Sequence, residues 1–232
     1  MKMMRGKLLL LAMAMQLSAW GTANAGPVFM HTGGRTTQPV GHYEFCQRIP
    51  VECNERTPKG SPVELTRKLW TTIINVNNSV NTRVKPRTDM EIYGVEEYWA
   101  YPENGYGDCE DYALEKRREL MAAGVPAGDL LMTVVRQPNG DGHAVLTVRT
   151  SLGEFILDNL EPKVLAWNDT VYTYLKRQST ENSGVWVSIN AIPVPNDRVL
   201  GAGPVPGPAP PFPATLTRHF DRRLAGLSYC SG

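Results

Sequence analysis

The sequence predicts an α+β fold, with helices packed against an antiparallel sheet, and three observations predict it. Two helix-type patterns come first, over residues 61–80 and 110–123. Apolar, β-branched runs divided by turn residues then follow between residues 130 and 189. The hydrophobic period changes from about 3.6 to about 2 between the two groups, which separates a helical half from a sheet half.

Taken in chain order, Lys2, Arg5 and Lys7 precede the apolar run Leu8 to Trp20, and Ala23-Asn24-Ala25 follows. A charged start, a short apolar middle and a small-residue site predict a signal peptide over residues 1–25, cleaved after Ala25. Export to the periplasm or beyond is the expected destination. The whole chain carries a formal net charge of +1, and loss of the three basic leader residues leaves it slightly acidic. That balance argues against a nucleic-acid partner. Residues 26–192 read as one catalytic-size domain and residues 193–232 as a Pro-rich C-terminal tail, because Pro195, Pro204, Pro206, Pro208, Pro210, Pro211 and Pro213 favour extended chain over packing.

Gly26 to Tyr43 lacks periodicity and reads as an extended arm. In an oxidising compartment Cys46 and Cys53 are a local disulfide pair for this loop-rich region. Cys230 is left over: it pairs with Cys46 or Cys53, links chains or stays free. Ser61-Pro62-Val63-Glu64 supplies an N-cap, a proline at the first helical position and a capping-box glutamate, ahead of Leu65, Leu69, Ile73, Val76 and Val80. This predicts an amphipathic helix with Asn75, Asn77, Asn78 and Asn81 near its wet side. Between Thr82 and Gly105 the ordered turn is expected at Val95 to Trp99, with Tyr93, Tyr98 and Trp99 available to wall a cleft.

The run Glu110 to Ala123 contains no Gly or Pro, and Gly124 and Pro126 stop it. Cys109 therefore falls in the first turn of a helix, where free backbone N–H groups and the positive end of the dipole favour a thiolate. The bland alternative makes Asp108 an N-cap, Asp111 its capping-box partner and Cys109 a small buried hydrophobe. Leu130 to Val135 and His143 to Val148 then read as strands joined by the turn residues Pro138 to Gly142, and a second turn at 151–154 leads into Phe155 to Asp158. His143 opens one strand and Asp158 closes the next, so a hairpin turning near 151–154 brings both to one end. Val171 to Leu175 and Val185 to Ile189 alternate as further strands. Cys109, His143 and Asp158 thus satisfy the roles of nucleophile, general base and orienting carboxylate in thiol acyl transfer. The Cys109 backbone N–H, with Trp99 as a second donor, is the candidate oxyanion site. Chemistry at Cys109 requires that it stay outside any structural disulfide.

The segments Tyr93-Gly94-Val95, Tyr98-Trp99-Ala100, Gly107 to Ala113, Gly142 to Leu146 and Leu157 to Leu160 resemble the bacterial transglutaminase-like cysteine proteinases, which include LapG-type periplasmic adhesin proteases. The resemblance spans roughly residues 62 to 190. It implies a papain-like, transglutaminase-type fold and an exported cysteine endopeptidase with Cys109, His143 and Asp158 as its triad. It also implies calcium, with Asp108, Glu110 and Asp111 as ligands, the rest of the shell coming from carbonyls, water or remote side chains. A large surface adhesin as substrate and an inner-membrane cyclic-di-GMP receptor as regulator are the partners it implies. The Cys46/Cys53 segment and the Pro-rich end have no counterpart in that pattern. A transglutaminase or acyltransferase using the same triad, and a catalytically silent binding domain, are the alternatives.

Overall fold

A computed structural model describes residues 27–190 together with Cys230; the predicted leader, and the predicted tail apart from Cys230, lie outside the described residues. The elements run β1 (Thr32–Thr36), α1 (Val40–Arg48), α2 (Pro50–Cys53), α3 (Arg67–Arg83), β2 (Lys85–Pro86), α4 (Asp89–Tyr93), β3 (Tyr106–Gly107) and α5 (Cys109–Ala122). They continue with β4 (Leu130–Arg136), β5 (Gly142–Thr150), β6 (Gly153–Leu157), β7 (Leu165–Ala166), β8 (Thr173–Ser179) and β9 (Asn182–Ile189). Among the described residues seven strands form one antiparallel sheet in the order β1-β9-β8-β4-β5-β6-β7, and β2 pairs with β3 apart from it. Helices against an antiparallel sheet are the predicted architecture.

Strand alternation divides the core between the two sheet faces. Leu146 and Val148 of β5 join Ile73, Val80, Leu114 and Leu120 of the helices in one cluster. Val145 instead meets Val135, Ile156 and Trp167 in another. Ile73 is fully buried, so Ile73→Ala would cost about 2–5 kcal/mol as the cavity it leaves relaxes only in part.

Helix α3 starts later than predicted. Thr66 is its N-cap, its hydroxyl accepting from the Leu69 N–H at 3.1 Å. The Ser61 to Glu64 segment is drawn to the sheet: Val63 N–H donates to Asp129, Leu65 N–H to the Ser151 hydroxyl, and the Val63 carbonyl accepts from Ser151 N–H. Those tertiary bonds occupy backbone groups a first helical turn would need. Asn77, placed on the wet side by periodicity, is fully buried and donates to the Pro162 carbonyl. The ordered turn after Thr82 is α4 rather than Val95 to Trp99, because Thr88 and Glu91 form a reciprocal capping box and Gly94 closes the helix at φ +74°. The predicted arm is also more regular than expected, since β1 pairs with β9 and α1 follows. The Cys46–Cys53 disulfide joins α1 to α2 as predicted, with Cα atoms 5.6 Å apart.

His42, on α1, is 1% exposed and lies edge-on to Trp99 and Trp186. Trp186 Nε1 can only donate and meets His42 Nδ1 at 3.2 Å, which fixes Nδ1 as an acceptor. Burial first, and then the charge of Arg117, push the His42 pKa down to about 3. The folded state therefore resists protonation that the unfolded chain accepts near 6.5, so stability is full above that value and is lost as pH falls toward 3. At about 1.4 kcal/mol per pH unit, urea unfolding at pH 5 should show about 2 kcal/mol less stability than at pH 7 from this group. His42→Gln, which keeps an acceptor for Trp186, should flatten that difference; an unchanged pH dependence in the variant would remove His42 as its source.

Candidate active site

Cys109 is the first residue of α5 and His143 the second of β5, and packing of α5 on β5 brings them together. The helix forms because its sequence is free of breakers, and it stops where Gly124 adopts φ +92°. The β4–β5 hairpin closes through Gln137 to Asp141, with Gly140 at φ +99°. In β5–β6 the last paired residues are Leu146 and Leu157, so His143 and Asp158 extend past the ladder at one end. His143 Nε2 lies 2.8 Å from Asp158 Oδ1. Cys109 Sγ and an imidazole nitrogen of His143 lie within 4.8 Å of each other, and His143 Nδ1 is buried without a hydrogen-bond partner. The three predicted residues therefore converge.

Asp158 is held on every side. Oδ1 also accepts from Leu160 N–H at 2.9 Å, Oδ2 accepts from the Tyr172 hydroxyl at 2.5 Å, and its main-chain carbonyl accepts from Asn81 Nδ2 at 2.8 Å. Burial pushes its pKa upward, but the His143 and Tyr172 hydrogen bonds and the His143 charge outweigh burial and hold it below the usual carboxylate range. Sequence reading missed Tyr172 and Asn81. The Asn81 position on α3 was visible, but its partner was not.

The oxyanion prediction needs correcting. Trp99 is 2% exposed and its Nε1 donates to Glu97 Oε2 at 3.2 Å, so its N–H is committed inside the core. The Cys109 N–H, in the unpaired first turn, keeps its predicted place.

Around the helix start the acidic side chains do not act as caps. Asp108 is the N-cap residue but makes no capping bond; its Oδ2 accepts from Asp89 N–H, and Asp111 Oδ1 accepts from Ala100 N–H at 2.8 Å. Gly107 permits this approach, since a Cβ there would stand 2.7 Å from Asp111 Cβ. Asp89, Asp108 and Asp111 each place a carboxylate oxygen within 4.8 Å of the others, and Asp89 Oδ1, Asp108 Oδ1 and Asp111 Oδ2 are buried without hydrogen-bond donors. Burial and then the neighbouring Asp89 charge push Asp108 up to about 7; burial and then Asp108 raise Asp111. Three crowded, underbonded carboxylates are a donor set that fits a hard divalent cation. Of the predicted metal set, Asp108 and Asp111 are in this group. Glu110 faces the sulfur atoms and forms a second group with Asp108 and Cys230, while Asp89, nineteen residues before Asp108, joins Asp108 and Asp111. The Thr88 capping box that presents Asp89 was the available signal.

The sulfur chemistry departs from expectation. Cys109 is bonded to Cys230, with Cα atoms 5.5 Å apart across a sequence separation of 121. Cys230 thus lies at the site, and the expectation of a Cys109 outside any disulfide is overturned. The two thiols meet because Cys230, Cys109 and Ala144 form one small buried cluster. Ala144 N–H donates to Cys109 Sγ at 3.0 Å, and Glu110 Oε2 lies 3.4 Å from Cys109 Sγ and 3.0 Å from Cys230 Sγ. A disulfide sulfur has no proton to give. Burial, followed by the charges of Asp108 and Asp111, raises the Glu110 pKa well above the usual carboxylate range.

The sequence profile described as bacterial transglutaminase-like cysteine proteinase BTLCP matches residues 32–192. Among solved structures, the chain is similar to Legionella pneumophila LapG at 30% identity, covering 51% of this chain and 68% of that one, with a TM-score of 0.44. It is also similar to calcium-bound Legionella pneumophila LapG at 24% identity, covering 68% and 86%, with a TM-score of 0.45. No curated protein sequence matches significantly. The profile spans well over half of the chain, and on that basis the chain belongs to the bacterial transglutaminase-like cysteine proteinase family.

Proposed function

We propose that this chain is an exported endopeptidase that cuts peptide bonds with Cys109, His143 and Asp158, and that Asp89, Asp108 and Asp111 hold calcium beside the nucleophile. The observation that carries the reading is the His143–Asp158 pair at 2.8 Å with a Cys109 sulfur within 4.8 Å of the same ring nitrogens' cluster. Nε2 is engaged by Asp158, so the unpartnered Nδ1 is the nitrogen free to take the Cys109 proton once that thiol is reduced. The resulting imidazolium is stabilised by the ionised Asp158, and the thiolate by the Ala144 N–H. The thiolate adds to the scissile carbonyl, the Cys109 N–H faces the developing oxyanion, and His143 returns its proton to the leaving amine. Water then enters with His143 as base, and the acid is released.

Calcium, when bound, supplies positive charge that neutralises carboxylates otherwise forced toward protonation. Asp89, Asp108 and Asp111 are the residues that hold it, and their anchors on Tyr98, Asp89 and Ala100 backbone N–H groups fix the chain on either side of the helix start. The sequence-predicted leader and the family membership support export to the periplasm and a substrate among cell-envelope proteins, a surface adhesin in particular. Restraint by an inner-membrane receptor belongs to the same reading.

Reduced full-length protein and its Cys109→Ala variant should be incubated with cell-envelope proteins and the new N-termini sequenced. Cleavage unique to the wild type is expected; amine-dependent transfer products instead would favour a transglutaminase. Under the same conditions Cys109→Ser and His143→Ala should be nearly inactive, and Asp158→Asn should lose ~10²–10⁴ in turnover, because its amide orients but cannot stabilise imidazolium. Wild-type rates in a folded Cys109→Ser or His143→Ala variant would end the assignment.

For calcium, chelation with EGTA should lower the melting temperature and calcium readdition should restore it, since a ligand bound only by the native state stabilises it by mass action. Asp89→Asn should weaken the calcium-dependent part of that shift. Melting temperatures identical with EGTA and with millimolar calcium would refute calcium binding here.

A further inference from the structure

Cys230 has no role in the proposed reaction, yet it is bonded to the residue that would carry it. We propose that the C-terminal end of this chain is a redox latch: Cys230 caps Cys109 as a disulfide and keeps the protease latent until a dithiol reduces the bond. The proposal rests on the reading of Cys109 as the nucleophile.

Cys230 itself makes contacts inside the site. Its backbone N–H donates to the Gly142 carbonyl at 3.3 Å, immediately before His143. The sulfur packs with Cys109 and Ala144, and Glu110 Oε2 lies 3.0 Å from it. The second disulfide is different in kind: Cys46–Cys53 links α1 to α2 across only seven residues and involves none of Cys109, His143 and Asp158. Cys230 also adopts φ +72°, a left-handed conformation that a residue with a Cβ takes at a cost and gives up once released. The capped state is thus covalently held but not conformationally relaxed at its end residue.

Release is a two-electron thiol–disulfide exchange. One thiolate of an external dithiol attacks Cys230 Sγ, Cys230 being the more exposed residue of the pair at 9% against 2% for Cys109. The Sγ–Sγ bond breaks, its electron pair leaves on Cys109 as a thiolate facing the Ala144 N–H, and a mixed disulfide remains on Cys230. The second thiol of the reductant closes on the mixed disulfide, expels Cys230 as a thiolate that takes up a proton, and leaves the reductant as its cyclic disulfide. The freed cysteine remains tethered to the domain through residues 191–229, so an oxidant can restore the cap intramolecularly. Oxidising compartments favour the capped form.

Full-length protein isolated without reductant should give a Cys109–Cys230 cross-linked peptide on non-reducing mapping after N-ethylmaleimide quenching. Iodoacetamide should fail to label Cys109 until dithiothreitol is added, whereas Cys230→Ser and Cys230→Ala should label at Cys109 without reductant. Cleavage of cell-envelope proteins should follow the same pattern, absent in unreduced wild type and present in unreduced Cys230→Ser. Equal Cys109 labelling of wild type before and after dithiothreitol overturns the latch, and the wild-type comparison holds even if neither variant folds. Equal cleavage by unreduced wild type and unreduced Cys230→Ser also overturns it while leaving the protease reading intact. Reductant-dependent labelling with no cleavage under any condition upholds the cap on Cys109 and brings down the protease reading instead.

Discussion

Helix α5 is buried from Cys109 through Arg117 although five of those nine residues are acidic or basic, and several of the charged groups are tied to neighbouring elements. Arg117 spans the core, with Nε on the Leu130 carbonyl at 3.2 Å and Nη1 on Glu52 at 3.0 Å, and so ties α5 to the start of β4 and to α2. Glu115 pairs with Arg83 of α3 and with Arg118 of its own helix. Removing Glu52 would leave the buried Arg117 guanidinium without its ion partner, a penalty of roughly 3–5 kcal/mol. The helix consequently has one workable placement, and its first residue has one position relative to β5.

That placement sets up an electrostatic contrast around Cys109. On one side Asp89, Asp108 and Asp111 crowd together with raised pKa values, an arrangement that protons or a cation must relieve. On the other, Asp158 remains ionised because His143, Tyr172 and Leu160 all donate to it. Lys116 lies buried in the same helix, its Nζ without a hydrogen-bond partner, and burial pushes its pKa down to about 7 against the pull of Asp158. One carboxylate is thereby kept charged while its neighbours are pushed toward neutrality, the separation of roles on which acid–base chemistry at a single site depends.

Glu110 links these two regions to the sulfurs. As the residue after Cys109 it stands beside the aspartate cluster, and its Oε2 meets both Cys109 and Cys230. The Glu110 carboxyl group thus stands next to both the acidic cluster and the disulfide.

Local patterns carried the breaker-free helix after Cys109, the two hairpins from Leu130 to Asp158 and the Cys46–Cys53 pair, because each depends on neighbours within a few residues or one tight turn. The meeting of His143 and Asp158 was legible for the same reason: hairpin register is set by a short turn, and both residues lie a few positions from it. What sequence could not supply were partners contributed by distant chain. Asp89 reaches the acidic cluster from α4, Tyr172 and Asn81 reach Asp158 from separate elements, and Val63 leaves its apparent helix because Asp129 and Ser151 offer better bonds. Cys230 is the extreme case. Four cysteines and their spacing fix no connectivity, and a bond across 121 residues follows only from the fold that brings the chain's end back to the start of α5.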